Sequence, residues 1–239
     1  MSRRWAVGLL AAGLVLTLVA PVGSAAGVVE QLVRPDGASL MITARNQLQT
    51  QAIEGFYHLM MVYTPDFGRP VTVLGGPTTV IAVSGDKVVN KAKVGPGQVG
   101  LAIPQDGYLV VGVGRGSIFL DALNVGDPVK IIEKPAVTPD PLPTMVVAEN
   151  GETYAITGWN QGRGTNEMVV YTSDWGNYTY TNYWGAEALI QDGKVVYVRA
   201  IKEETPLEIP EGGIVVSGHD AAGSWIEANL QVGTAVSFQ

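Results

Sequence analysis

The chain has no cysteine. A disulfide framework, thiolate catalysis and a cysteine-ligated metal site are thereby excluded, and the chain must hold its folds by packing alone. Histidine is almost as scarce, with only His58 and His219, so a histidine-based metal site lacks ligands and none is expected. Basic charge is in deficit, with 15 Lys+Arg against 22 Asp+Glu. Beyond the N-terminal segment, no stretch is long and apolar enough to cross a bilayer.

What the first residues do contain is a targeting pattern. Arg3 and Arg4 precede an uncharged apolar run from Trp5 to Ala20, which Pro21 breaks. Gly23-Ser24-Ala25-Ala26 then offers small residues for cleavage after Ala25 or Ala26. Residues 1–26 therefore read as a signal peptide, with a retained anchor as the alternative, and the protein is expected to be secreted or to lie in the cell envelope. No acid precedes Glu30, so removal of Arg3 and Arg4 leaves a charge of 13 − 22 = −9. That charge speaks against nucleic acid, which needs a basic face, and against adhesion to anionic lipid. It suits a soluble exported protein whose partner is an extracellular polysaccharide or an envelope protein, with no membrane span after cleavage.

The remainder is rich in short β-branched runs divided by Gly, Asp and Asn. Leu32-Val33 and Leu40-Met41-Ile42 flank the turn Pro35-Asp36-Gly37, which predicts a hairpin. Met60 to Tyr63, Val71 to Leu74, Thr79 to Val83, Val88-Val89, Tyr108 to Val111 and Val129 to Ile132 read as strands. The spacing of 118, 119, 122 and 123 predicts one short helix over Ser117 to Leu123. Gly112 and Gly218 would end strands ahead of the helices, and Gly126 would be a left-handed cap. Prolines 135, 139, 141 and 143 predict an extended spacer over 133–145.

After that spacer the pattern repeats. Ile42-Thr43-Ala44-Arg45-Asn46 matches Ile156-Thr157-Gly158-Trp159-Asn160, and Tyr63-Thr64-Pro65-Asp66-Phe67-Gly68 matches Tyr171-Thr172-Ser173-Asp174-Trp175-Gly176. Gly85-Asp86-Lys87-Val88-Val89 matches Asp192-Gly193-Lys194-Val195-Val196, and Ile103-Pro104 matches Ile209-Pro210. The near-constant offset is the mark of an internal duplication. The expected fold is mostly β: two homologous small β-barrel- or sandwich-like domains, each with one short helix. The first, more degenerate, spans 27–132 and the second 146–239.

Asn160, Arg163-Gly164, Asn166-Glu167, Tyr171-Thr172, Thr181-Asn182, Gly185, Glu187, Ile209-Pro210, Gly213 and Ser217-Gly218-His219 together form a pattern. It resembles an accessory segment of bacterial phosphodiester glycosidase-family proteins and related exported glycosyl-hydrolase-like proteins. The Asn-Gly-Gly-Phe-Phe motif and the Gly-rich core of those enzymes are missing, and Asp220 stands where they carry glycine. The resemblance thus implies a detached, duplicated accessory module and carries over no catalytic residue and no cofactor.

Eight aromatics crowd the second copy: Tyr154, Trp159, Tyr171, Trp175, Tyr178, Tyr180, Tyr183 and Trp184. On a strand, Tyr178 and Tyr180 would share one face while Asn and Thr take the other. A row of rings beside Asn182 and Thr181 can stack on sugars and bind their hydroxyls; packing within the sheet is the plainer role. Arg163, Asn166 and Glu167 sit in one Gly-rich loop, as ligand contacts or as an internal pair of Arg163 with Glu167 or Glu187. His219-Asp220 reads first as a histidine followed by a helix cap. Glu203-Glu204 makes a poor acid–base pair, because neighbours on a strand point apart. The candidate ligand contacts are therefore Arg163, Asn166, Glu167, Trp175, Tyr178, Tyr180, Asn182, Trp184 and His219. The expected function is a non-catalytic exported module that binds a glycan or an envelope component through the second domain. A reduced phosphodiester glycosidase-like hydrolase and a structural assembly subunit are the alternatives.

Overall fold

The short β-branched runs do form strands, and the Gly, Asp and Asn clusters turn between them. The computed structural model describes residues 27–47, 60–71, 78–95, 101–161, 167–181, 185–201 and 205–239. Residues 1–26, read as a signal peptide, and the residues Thr72 to Leu74 of one expected strand lie outside them. The first half runs β1 (Val28–Val33), β2 (Ser39–Met41), β3 (Ala44–Arg45), β4 (Met60–Tyr63), β5 (Thr78–Ser84), β6 (Lys87–Val94), β7 (Gly107–Val113), α1 (Arg115–Asp121) and β8 (Lys130–Pro135). The second runs β9 (Met145–Ala148), β10 (Thr153–Ala155), β11 (Gly158–Trp159), β12 (Met168–Thr172), β13 (Tyr178–Thr181), β14 (Gly185–Gln191), β15 (Lys194–Ile201), β16 (Thr205–Glu208), β17 (Ile214–His219), α2 (Ala221–Asn229) and β18 (Val236–Phe238). The protein is mostly β with one short α-helix in each half. Among the described residues, no helix is long and apolar enough to cross a membrane.

The halves share one strand order. A three-stranded sheet β2-β1-β8 stands beside a five-stranded sheet β3-β4-β7-β5-β6, and the second half has β10-β9-β18 beside β11-β12-β17-β14-β15. The register irregularity falls at the same place, between Ala82 and Val83 and between Leu189 and Ile190. Asn46 and Asn160 both take φ 47°, and their side-chain carbonyls accept the N–H of Thr64 and Thr172 at 2.8 and 2.9 Å. A two-stranded ribbon, β13-β16, completes the second half.

Several local assignments differ from the sequence reading. Helix α1 starts at Arg115, because Gly114 at φ 57° and ψ −116° ends the preceding strand. Phe119 and Leu120 lie on its buried side, Leu123 just beyond it is also buried, and Ile118 faces out. Gly112 and Gly218 sit inside β7 and β17. A Cβ on Gly112 would lie 2.3 Å from the Gly116 oxygen, and one on Gly218 2.7 Å from the Ala222 oxygen. Their role is to let a helix lie directly on a strand. Gly126 belongs to the turn after α1, whose cap residue is Ala122.

The proline-rich segment is not a free spacer. β8 runs on to Pro135 at the edge of its sheet, where a missing N–H is tolerated. Beyond it, the buried Asp174 carboxylate accepts the N–H groups of Val137 and Thr138 at 3.0 and 2.8 Å and the Thr138 hydroxyl at 2.6 Å. Asn160 donates to the same hydroxyl at 2.8 Å, and the Trp159 indole donates to the Pro143 carbonyl at 2.9 Å.

One apolar core joins the halves. Leu32, Leu40, Phe119 and Leu120 of the first half cluster with Val169, Tyr171, Trp175, Ile209 and Val215 of the second. At its rim the turn 173–177 caps the free edge of β2. Met41 N–H donates to the Trp175 carbonyl at 2.7 Å, Ser39 N–H to Asn177 Oδ1 at 2.8 Å, and Asn177 Nδ2 to the Gly37 carbonyl at 3.0 Å. Gln31 Nε2 donates to the carbonyls of Ser173 and Asp174 at 2.6 and 2.9 Å, and Lys134 Nζ donates to Ser173 O. Burial there holds the Lys134 ammonium below the ordinary lysine value, against the upward pull of Asp174 and Glu211. The Asn177 side chain is thus committed to the junction, although Asn177-Tyr178-Thr179 fits a glycosylation sequon.

Candidate functional site

Overlaying the two strand orders shows one cross-strand layer that changes character. In the first half, Val80 of β5 lies opposite Ala92 of β6 and Val111 of β7. In the second half, the matching residues are Glu187 of β14, Arg199 of β15 and Ser217 of β17. Glu187 is fully buried. Its Oε2 accepts from Arg199 Nε at 3.1 Å and Nη2 at 2.8 Å, and its Oε1 accepts from Ser217 Oγ at 3.0 Å. Arg199 Nη1 also donates to the Pro206 carbonyl of β16 at 3.4 Å. A buried ion pair costs several kcal/mol in desolvation, which its attraction only roughly offsets, so apolar side chains fill such a layer equally well. The first half does so. The polar layer is a feature of the second half that packing alone does not require.

The same face of the sheet continues to the end of β17. His219 lies two residues beyond Ser217 and so points to the same side. It pairs with Gly185 across the ladder, and its N–H donates to the Glu167 carbonyl at 3.3 Å. The register that sets Met168 opposite Gly218 brings Glu167 opposite His219, on the His219 face. Glu167 and His219 therefore meet at the end of the layer formed by Arg199, Glu187 and Ser217.

Asp220 follows with an unusual backbone. Its φ of 47° and ψ of −113° match those of Gly114 at the same place in the first half. This region belongs to glycine and is strained for an L side chain. Asp220 occupies the N-cap position of α2 but makes no side-chain cap bond; its Oδ2 lies 3.2 Å from His219 Nδ1 instead. Asp220→Gly is expected to stabilise the fold by about 1 kcal/mol: strain of about 1–3 kcal/mol is relieved, and about 1 is returned through glycine's freedom in the unfolded chain. Thermal unfolding checks this, and a fall in Tm would mean that the carboxylate contacts outweigh the strain. Beside Asp220, a cleft of about 270 Å³ opens between α2 and the ends of β14 and β15, lined by Gly185, Ala200, Ile201, Asp220, Ser224 and Glu227.

Chemically, this end of the second half offers carboxylates, an imidazole and a serine hydroxyl. Carboxylates accept hydroxyl protons and the imidazole can give or take one, a set that suits a neutral, hydroxyl-rich ligand. Among the described residues, no group of three or more His, Asp or Glu is placed to hold a metal ion.

Of the sequence candidates, Glu167 and His219 are brought together. Arg163, Asn166, Asn182 and Trp184 lie outside the described residues, as do His58, Glu203 and Glu204. Tyr178 and Tyr180 stand on β13 opposite Glu208 and Pro206. Trp175 is a correction. It is 2% exposed and packs 5.4 Å from Tyr171 in the core between the halves, so no sugar can stack on it. Glu187 pairs with Arg199, while its expected partner, Arg163, lies outside the described residues. Arg199 escaped the sequence reading, and Ser217 entered it only as part of the resembling pattern, not as a candidate contact. Each is a polar residue in an apolar strand, and aligning them with Ala92 and Val111 of the other half reveals both.

No family model matches the chain, and no curated protein matches it. It is similar in structure to a hypothetical protein from Synechocystis, at 16% identity over 88% of this chain and 38% of that one, with a TM-score of 0.37. It is also similar to a Burkholderia pseudomallei protein provisionally described as exported, at 12% identity over 88% of this chain and 47% of that one, with a TM-score of 0.37. The chain spans less than half the length of either.

Proposed function

We propose that the chain is an exported, duplicated, non-catalytic module that binds a glycan of the extracellular matrix or envelope at the His219 end of its second half. The observation that carries this reading is the contrast between the polar layer Arg199–Glu187–Ser217 and its apolar counterpart Ala92–Val80–Val111. A polar layer present in only one of two matching positions, and continued towards Glu167 and His219, supports a ligand site over a pure scaffold. The shared strand order supports duplication, and the Arg3-Arg4, apolar and small-residue sequence of residues 1–26 supports export. The test is co-sedimentation with insoluble cell-wall polysaccharides together with a glycan array. Wild type is retained, and His219→Ala and Glu167→Gln lower retention about tenfold or more. Retention of no glycan, or retention unchanged in both variants, would sink the reading.

The contact between Asp220 and His219 favours a second reading, a reduced hydrolase in which Asp220 orients the imidazole. Turnover of a chromogenic sugar phosphodiester that disappears in His219→Ala would replace the binding reading with this one.

A further inference from the structure

We propose that copies of this chain join head to tail, the edge of β10 in one copy receiving the Thr64–Gly68 turn of the next. The template lies within the chain. At the rim of the apolar core that joins the halves, the edge of β2 receives the turn 173–177 through backbone groups as well: Met41 N–H to Trp175 O at 2.7 Å and the bridge Leu40↔Gly176. Each half possesses both parts, so one edge and one turn are left over.

The spare turn is built as the docked one is. Phe67 N–H donates to Thr64 O and Gly68 N–H to Pro65 O, both at 3.0 Å, matching Trp175 to Thr172 at 3.0 Å and Gly176 to Ser173 at 3.3 Å. In the second half the docked Ser173, Asp174, Trp175 and Gly176 are buried. In the first half Pro65, Asp66, Gly68 and Arg69 are exposed. Gly176 must lack a side chain, because a Cβ would stand 2.1 Å from the Ser39 oxygen, and Gly68 offers the same clearance.

The spare edge is β10. Val146 opposite Tyr154 repeats Leu32 opposite Leu40, so Thr153 and Ala155 stand where Ser39 and Met41 do, and their N–H groups point away from β9 by the same alternation. Thr153 and Ala155 are exposed, whereas Ser39 is buried. No turn caps this edge among the described residues, and an uncapped edge is a template for another chain.

Charge selects a second copy as the occupant. Within the chain Asn177 grips the hairpin tip, at Gly37 and Ser39. In the spare turn Arg69 takes that position, exposed and 4.8 Å above the Phe67 ring. The tip it would meet on β10, between Ala148 and Thr153, carries exposed Glu149 and Glu152. An amide grip within the chain is thus replaced by an Arg–Glu grip between chains. The contact is weaker than the internal one, because Met145 stands in place of Gln31 and its two hydrogen bonds. It is heterologous, so it builds open chains or rings and not a closed two-fold dimer.

Sedimentation velocity of the purified chain over a wide concentration range tests the proposal. Wild type associates progressively. Arg69→Glu at one end, or Glu149→Arg with Glu152→Arg at the other, shifts the association midpoint about tenfold or more towards higher concentration, because like charges then face each other. These sites are exposed, and circular dichroism verifies that each variant folds. An equimolar mixture of the two variants regains association, since each acidic end then meets a basic one. A wild type that stays monomeric, a closed symmetric dimer, or a mixture that behaves as its separate components would overturn the proposal.

Discussion

Trp175→Ala is expected to lower the unfolding free energy by about 3–5 kcal/mol, in the range for deleting a fully buried large aromatic. The side chain is 2% exposed and sits among Leu40, Tyr171, Ile209 and Val215, so its removal leaves a cavity in the core that joins the halves. The loss is larger than its area alone implies, because the flanking backbone bonds from Met41 and Ser39 depend on the turn keeping its place. In calorimetry, the single transition of the intact protein should separate into two once the halves uncouple. Trp175→Phe, which installs the ring found at Phe67, should cost about 1–3 kcal/mol and keep one transition. If Trp175→Ala melts as wild type does, the turn contributes little to the union of the halves.

Glu187→Ala carries the second large effect, a loss of about 3–5 kcal/mol, because it strands the Arg199 guanidinium in a nearly closed layer. The side chain of Arg199 is 14% exposed and that of Glu187 is 0% exposed, so water compensates poorly for the lost partner. The triple substitution Glu187→Val, Arg199→Ala, Ser217→Val writes the first half's layer into the second. It should restore most of the stability, since no uncompensated charge remains. Chemical denaturation measures both, and a triple variant weaker than the single one would refute the equivalence of the layers. The triple variant also separates stability from binding, because it should fold well and retain little glycan.

Much of this architecture is legible in the residues. The Asp36-Gly37 turn, the runs Met60 to Tyr63 and Tyr108 to Val111, and the match of the two copies correspond to strands and a shared strand order. Local chemistry dominates in those elements, so local patterns report them. The roles of Gly112 and Gly218 are obscured because a glycine that ends a strand and one that admits a helix leave the same letter. Trp175 reads as a sugar platform when seen beside Tyr178 and Tyr180; the core it joins with Leu40, distant in sequence, buries it. The proline segment reads as a spacer for the same reason, since the Asp174 carboxylate that pins it belongs to another turn. At the candidate site, His219 and Glu167 stand out by residue type. Arg199 and Ser217 need the cross-strand register, which a single strand does not encode.

The pairing of the outermost strands of each half also sets when each half can close. β1 pairs with β8 from Val28↔Pro135 to Val33↔Lys130, and β9 pairs with β18 through Val146↔Phe238. A growing chain therefore presents β1 and β2 long before either has its full set of neighbours, and the entropy of closing so long a loop must be met before the ladder contributes. The edge of β2 waits longer still, until the turn at Trp175 has been made. Closure of these ladders is expected to be a slow step of folding, and the edge of β2 stays uncovered until the turn at Trp175 packs onto it.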